Sequence, residues 1–145
     1  MFTFSHPVKA AIVGLMLGLV AFPATAELVV VVAAANPLSE LTAAQVADIY
    51  LGRTSYFPGG GEAVPIDQSE VTASRTDFYQ KVTGKTAPQL KAYWSKLIFT
   101  GQGQPPREVP DAAAVKKVLA TMPNSIGYID KGDVDARVKT VLVLH

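Results

Sequence analysis

An unbroken apolar run at residues 28–32, made only of leucine and valine, is the first strong pattern in this chain. Such a run is typical of a strand that is covered on both faces, as in the sheet of an α/β protein. Apolar runs at residues 126–129 and 138–144 predict two closing strands, and residues 63–66 predict a short strand that precedes them. A turn or a short helical segment is expected at residues 130–135.

Apolar residues recur at helical spacing between these strands, and capping residues stand where the helices would begin. Thr42 and Thr86 each precede a glutamine by three residues, which is the spacing of a capping box. Gly52 and Gly84 are suited to the left-handed backbone that ends a helix. The predicted helices are residues 43–51, residues 73–83, a segment from Thr86 to Ile98, and a segment from Asp111 to Pro123.

Strands that alternate with helices at these spacings predict a single α/β domain, with a mixed sheet flanked by helices. Residues 101–110 are rich in Gly, Gln and Pro and predict a loop. The glycine run within residues 57–61 could form either a turn or a cradle for phosphate. A phosphate cradle requires a helix to follow it, and a strand is predicted instead, so a turn is favoured.

The first 26 residues have the pattern of a secretory signal peptide. Lys9 precedes an apolar run at residues 10–22, and an Ala-Thr-Ala cleavage sequence ends at residue 26. The run is shorter than the roughly 18 apolar residues that a membrane-spanning helix needs, and Pro23 ends it. We therefore expect residues 1–26 to be removed and residues 27–145 to be a periplasmic domain, without a cysteine that could carry a lipid anchor.

The charge balance restricts the kinds of partner. The chain has 13 basic and 12 acidic residues, and loss of Lys9 with the signal peptide would leave it almost neutral. Nucleic acids and anionic membranes favour basic surfaces, so neither partner is expected. Lys116 and Lys117 form an adjacent basic pair that is better explained as a solvated helix face.

Catalytic and metal-binding chemistry has little support in the sequence. His6 lies in the predicted signal peptide and His145 is the last residue, and no cysteine is present, so we expect no enzyme. Asp130, Asp133 and Asp135 could bind calcium or form a solvated acidic turn, but the glycine and final glutamate of an EF-hand are missing. No nucleotide-binding motif occurs, so neither a cofactor nor a metal is expected.

The junction between the strand at 63–66 and the helix at 73–83 is a candidate anion site. The first N–H groups of a helix lack partners within the helix, and the helix dipole places positive charge there. Thr72 and Ser74 would add hydroxyl donors, and Arg75 a planar guanidinium suited to two oxygens. The alternative is that the two hydroxyls only cap the helix and that Arg75 lies on its surface.

Several short segments together resemble the substrate-binding proteins of phosphate ABC importers. The segments are LGRT at residues 51–54, TASR at 72–75, LIFTG at 97–101, PP at 105–106 and IGY at 126–128, together with Trp94 and Val109. The resemblance implies the type II periplasmic-binding fold, in which two α/β lobes close on an oxyanion. It covers nearly all of residues 27–145 but only the later part of such a protein, about one lobe.

The same resemblance can be followed residue by residue at the candidate site. In the family, a Ser-Gly-Thr-Thr or Ser-Gly-Thr-Arg run follows Asp-Gly, and a phenylalanine comes three residues later. Alignment on Phe78 places Thr72 on the serine, Ser74 on the threonine and Arg75 on the last position. Alanine replaces the glycine, Glu-Val replaces Asp-Gly, and Gln68 falls near an arginine of the family.

Two functions remain open from the sequence. The first is a periplasmic solute-binding module that binds phosphate or a similar oxyanion through Gln68, Thr72, Ser74 and Arg75, in concert with an ABC importer or another periplasmic partner. A second copy in a homodimer, a partner protein or solvent would then have to replace the missing lobe. The second is a non-transport interaction module that retains the fold without binding a ligand.

Overall fold

The computed structural model describes residues 27–145 and the isolated positions Thr3, Gly14 and Gly18. The predicted signal peptide at residues 1–26 lies outside the described residues, apart from those three positions. In the part of the chain that is described, no helix combines the length and the apolar character needed to cross a membrane.

Within residues 27–145, five strands form one mixed sheet. In chain order they are β1 Leu28–Ala33, β2 Val64–Gln68, β3 Arg107–Val109, β4 Ser125–Asp130 and β5 Val138–Leu144. Their spatial order is β3-β2-β4-β1-β5. Strand β1 is antiparallel to both β4 and β5, whereas β2 is parallel to β3 and β4. The mixed sheet predicted from the sequence is therefore confirmed.

Four α-helices of the described part of the chain pack on this sheet, and their starts agree with the capping signals. They are α1 Ala43–Tyr50, α2 Ala73–Thr83, α3 Ala87–Phe99 and α4 Ala112–Thr121. Thr42 and Thr86 form complete capping boxes, while Thr72 and Asp111 accept a hydrogen bond from the third N–H of their helices. A side chain that accepts from an otherwise unpaired N–H stabilises a helix start by about 1 kcal/mol.

The core has two halves because side chains of β1 alternate between the faces of the sheet. Leu28, Val30 and Val32 pack with residues of α1, α2 and α3 on one face. Val29 and Val31 pack with α4 on the other. The fully apolar run at the start of β1 is thus explained by burial on both faces.

The structure differs from the sequence prediction in one additional strand and in the end of another. Residues 107–109, predicted as loop, form β3, which pairs with β2 at the edge of the sheet. Its first two residues, Arg107 and Glu108, are exposed and polar, so the local sequence carries no strand pattern. Strand β2 also continues beyond residue 66 to include Asp67 and Gln68, both buried. These polar residues belong to the candidate site.

Candidate functional site

The candidate site lies near the carboxyl ends of β2 and β4, where α2 begins. From β2 the chain passes through α2 and α3 to β3 on one side, whereas β4 pairs with β2 on the other side. Open α/β sheets place ligands at the carboxyl ends of strands where the connections diverge in this way. The topology therefore brings the predicted residues to the usual ligand position of such folds.

Asp67 is the buried centre of this site, with only 1% of its surface exposed. The hydroxyls of Tyr79 and Tyr128 each donate a 2.5 Å hydrogen bond to its carboxylate. The backbone N–H of Gln68 donates a third at 2.8 Å. A buried carboxylate is tolerated when donors surround it, so these bonds compensate for the loss of water.

Aromatic packing holds both tyrosines in place. The ring of Tyr128 stacks on Phe78, with 3.9 Å between centroids and 5° between planes. Tyr79 packs edge-on against Phe78, and Tyr50 packs edge-on against all three rings. The Tyr50 hydroxyl in turn shares its one proton between the carbonyl oxygens of Ile66, at 2.8 Å, and Ile126, at 3.1 Å. The rings therefore link β2, β4, α1 and α2 into one rigid cluster.

The same environment keeps these hydroxyls protonated. Burial raises the pKa of Tyr79 and of Tyr128, and the negative charge of Asp67 raises both further. Burial also raises the pKa of Tyr50. The three tyrosines therefore act as hydrogen-bond donors at neutral pH and do not supply a negative charge.

Arg75 extends from the first turn of α2 into a cluster of carboxylates. Its Nε lies 3.5 Å from Asp67, and its Nη1 lies 3.5 Å from Glu70 and 3.2 Å from Glu108. Burial lowers the pKa of the guanidinium, but Asp67, Tyr79 and Glu108 raise it, and the net change is upward. Three carboxylates thus surround one guanidinium, which gives this cluster a formal charge of −2.

Thr72, Ser74 and Arg75 lie at the start of α2, whereas Gln68 is buried at the end of β2, and two of these four residues already have structural roles. The side chain of Gln68 donates a 2.7 Å hydrogen bond to the carbonyl of Tyr128 in the core. Thr72 accepts from the N–H of Arg75 and donates to the carbonyl of Ser69, as a helix cap does. Ser74 is half-buried in the first turn of α2, beside Arg75.

A groove of about 480 Å³ runs between α2 and α3, directly beside Arg75. Its lining is largely apolar on the α3 side, with Leu90, Trp94 and Ile98, and Pro105 follows α3. Glu70, Arg75 and Glu108 line it as well, and so do Lys85 and Lys91. The groove is large enough for a bulky side chain or a small molecule.

Several residues of the site were missed by the sequence analysis. Asp67 stood beside Gln68 in the strand end, but its tyrosine partners lie 12 and 61 residues away. Glu108 fell in the segment predicted as loop. One available signal was that Asp67, an acidic residue, directly follows the short strand predicted at residues 63–66.

In the comparison with known proteins, no protein-family model matches the chain, and no curated protein matches it either. Solved structures do match. A protein from Clostridium perfringens assigned as a phosphate ABC transporter substrate-binding protein, solved with phosphate bound, has 25% identity and a TM-score of 0.63. The match covers 79% of this chain and 44% of that protein.

Two further structures are similar in fold. An ABC-type phosphate transport receptor from Vibrio cholerae is 21% identical with a TM-score of 0.62, and PstS from Borrelia burgdorferi is 15% identical with a TM-score of 0.60. Each match covers 79% of this chain and 45% or 46% of the other protein. The chain therefore has the fold of a single lobe of a periplasmic-binding protein. The similar structures carry the names of binding and transport proteins rather than of enzymes.

Proposed function

We propose that this protein is a periplasmic interaction module that retains one lobe of a phosphate-binding fold and uses it to bind a protein partner. The observation that supports this function is the environment of Arg75. Its guanidinium, the only cation expected at the predicted anion site, is within 3.5 Å of Asp67, Glu70 and Glu108. The positive charge that would attract an oxyanion is already compensated.

The Coulomb and hydrogen-bond energies at Arg75 also argue against oxyanion binding. Two like charges about 4 Å apart repel by about 4 kcal/mol at the effective dielectric constant near a protein surface. One charge-assisted hydrogen bond contributes about 1.5–3 kcal/mol. Solvent weakens the repulsion from Glu70 and Glu108, whose side chains are 78% and 50% exposed, but it does not reach buried Asp67. An oxyanion at Arg75 would therefore meet repulsion from the carboxylates of the same order as its attraction to the guanidinium, so little net binding is expected.

Exposed apolar residues near the groove favour a protein partner. Val71 is 91% exposed before α2, and Ile98 and Phe99 are 54% and 92% exposed at the end of α3. Ile98 lines the groove and Phe99 follows it in the chain, and exposed apolar side chains that adjoin one another often mark a protein contact. A partner that covered them would also bury the apolar lining of the groove.

Binding of phosphate or a similar oxyanion, in concert with an ABC importer, is the second candidate function. It is favoured by the similarity to the Clostridium perfringens structure that contains phosphate. The first-turn N–H groups of Ala73 and Ser74 precede the hydrogen-bond ladder of α2, and Ser74 adds a hydroxyl. In this function the guanidinium of Arg75 would release Glu70 and Glu108 and bind the oxyanion instead.

Calorimetric titration with phosphate and with sulfate distinguishes the two functions. For the interaction module we expect no saturable heat up to about 1 mM anion. The double variant Glu70→Gln/Glu108→Gln keeps similar side-chain volumes and removes two negative charges, so it should gain weak phosphate binding. Adding Arg75→Ala should abolish that gain. Saturable binding by the unmodified protein, lost in Arg75→Ala, would instead establish the oxyanion function.

A further inference from the structure

One side of the groove is a regular stripe on the surface of α3. Pro88, Lys91 and Ser95 line the groove at helical spacing. Phe99 follows Ser95 by four residues, so it continues the same stripe, and it is 92% exposed. The stripe therefore combines a concave apolar groove with a protruding aromatic ring at its end.

The groove has opposite charges at its two ends. Glu70 and Glu108 are held by the same Nη1 atom of Arg75, so both carboxylates lie near the start of α2. Lys85 and Lys91 line the groove near the start of α3. Only residues 84–86 join the end of α2 to the start of α3, so the basic end lies near the end of α2.

The distance between the ends follows from the helix length. The two charged ends lie near opposite ends of α2. The 11 residues of α2 form a continuous helix, which spans about 16 Å at 1.5 Å per residue. An occupant that matches this groove needs an apolar group that can enter it, a basic group toward one end and an acidic group toward the other.

A second copy of this chain has those properties. We propose that two copies pack their α3 helices antiparallel across a two-fold axis near Ser95, so that Phe99 of each copy enters the groove of the other. This inference rests on the proposed function, because it names the partner of the interaction module. A two-fold contact is self-complementary, so each contact occurs twice.

In the antiparallel arrangement, the Phe99 end of one stripe faces the Lys91 end of the other. Phe99 of one copy meets the basic end of the other groove, over Pro88 and Leu90, where the aliphatic stem of Lys91 can cover the ring. Lys91 in turn approaches Glu108 of the second copy. The ring supplies most of the affinity, while exposed ion pairs contribute little energy and mainly select the orientation.

The residue at the centre of the stripe permits a close contact. Ser95 is exposed and small, and packed helices need axes 8–10 Å apart, depending on the side chains between them. A parallel arrangement would place Lys91 against Lys91 and the acidic ends against each other. The charges of the groove therefore favour the antiparallel pair.

Cysteine cross-linking tests this contact directly, because the chain contains no cysteine. In the purified protein, Ser95→Cys should form an intermolecular disulfide under mild oxidation, since the two-fold axis brings the two thiols together. Thr121→Cys on α4 is the control, because this exposed position lies on the opposite face of the sheet. It should remain largely uncross-linked.

Sedimentation measures the same contact without cross-linking. Between roughly 1 μM and 1 mM protein we expect dimers, and Phe99→Asp should weaken dimerisation at least roughly tenfold. Tyr56→Asp is the matched control at an exposed aromatic residue outside the groove, and it should have no effect. Lys91→Glu should weaken the dimer, and Lys91→Glu/Glu108→Lys should restore it.

A monomer throughout that range, or Ser95→Cys cross-linking no better than Thr121→Cys, would overturn the second copy as the partner. A dimer that is indifferent to Phe99→Asp would overturn it as well. Neither result bears on phosphate binding, which the calorimetric titration measures separately. Failure of the dimer can thus be distinguished from failure of the proposed function.

Discussion

The hydroxyl of Tyr128 donates a 2.5 Å hydrogen bond to Oδ1 of Asp67, although 61 residues separate the two in sequence. This bond connects β4 to β2 at the end of the sheet where α2 begins. The same hydroxyl accepts a 3.2 Å hydrogen bond from the N–H of Gln68. Tyr128 therefore donates to a buried carboxylate and shares with it the backbone donor of Gln68.

Removal of this hydroxyl should destabilise the protein without changing its packing. In Tyr128→Phe the ring can still stack on Phe78, but Asp67 loses a donor, and the N–H of Gln68 keeps only its 2.8 Å hydrogen bond to Asp67. We expect the free energy of unfolding to fall by about 1–3 kcal/mol. Urea denaturation measures this change, with Tyr56→Phe on the surface as the control. Equal stability of both variants would show that the bond contributes little.

Stability should also fall at alkaline pH. Burial raises the pKa of Tyr50, Tyr79 and Tyr128 above the value of about 10 expected in the unfolded chain. Above that pH the unfolded chain releases protons that the folded protein retains. The stabilisation is therefore complete below about pH 10 and decreases as the pH rises through and beyond it.

Each buried tyrosine should contribute about 1.4 kcal/mol per pH unit to this slope. Urea denaturation at a series of pH values up to about 11 measures the slope. Comparison with Tyr128→Phe isolates one tyrosine, because lysines and other groups titrate in both proteins. The variant should show a slope lower by about 1.4 kcal/mol per pH unit. Identical slopes would contradict the assignment.

The close approach of α4 to β4 requires a glycine at position 127. A Cβ atom at Gly127 would lie 2.5 Å from Cγ1 of Val115. We expect Gly127→Ala to lower the free energy of unfolding by about 1–3 kcal/mol through overpacking. Val115→Ala removes the clashing methyl groups and leaves space for the new one.

The pair should therefore be non-additive. Gly127→Ala/Val115→Ala should be more stable than the sum of the single changes implies, by about 0.5–3 kcal/mol. Urea denaturation of all four proteins gives this coupling energy. Strict additivity would mean that the helix shifts instead of pressing on the valine side chain.

Thr72 offers a test of capping against ligand binding. Its hydroxyl oxygen accepts from the N–H of Arg75 at 3.3 Å, much as Thr42 accepts from Gln45 at 3.2 Å in α1. We expect Thr72→Ala to cost about 1 kcal/mol of unfolding free energy, similar to Thr42→Ala. Thermal or urea unfolding compares the two variants. A Thr72→Ala protein that keeps full stability but loses saturable phosphate binding would identify Thr72 as a ligand residue.

The sequence was most informative where the determining contacts are local. Thr42 and Thr86 cap the helices that they were predicted to cap, because a cap acts over three residues. Ser74 and Arg75 also lie in the first turn of α2, because the nearby cap Thr72 sets where that turn begins. Strand β3 was missed because its pairing energy comes from β2, which lies about 40 residues earlier in the chain.

By itself, the sequence determined the α/β class, the helix starts and the presence of Thr72, Ser74 and Arg75 in one turn, since periodicity and capping depend on near neighbours. Only the tertiary structure decided the charge state of the site. Asp67 comes from β2, Glu70 from the loop before α2 and Glu108 from β3, and they meet at Arg75 only after the sheet has formed. Coulomb energies depend on distance in space rather than in sequence. The guanidinium that was predicted to make the site positive is therefore compensated by three carboxylates.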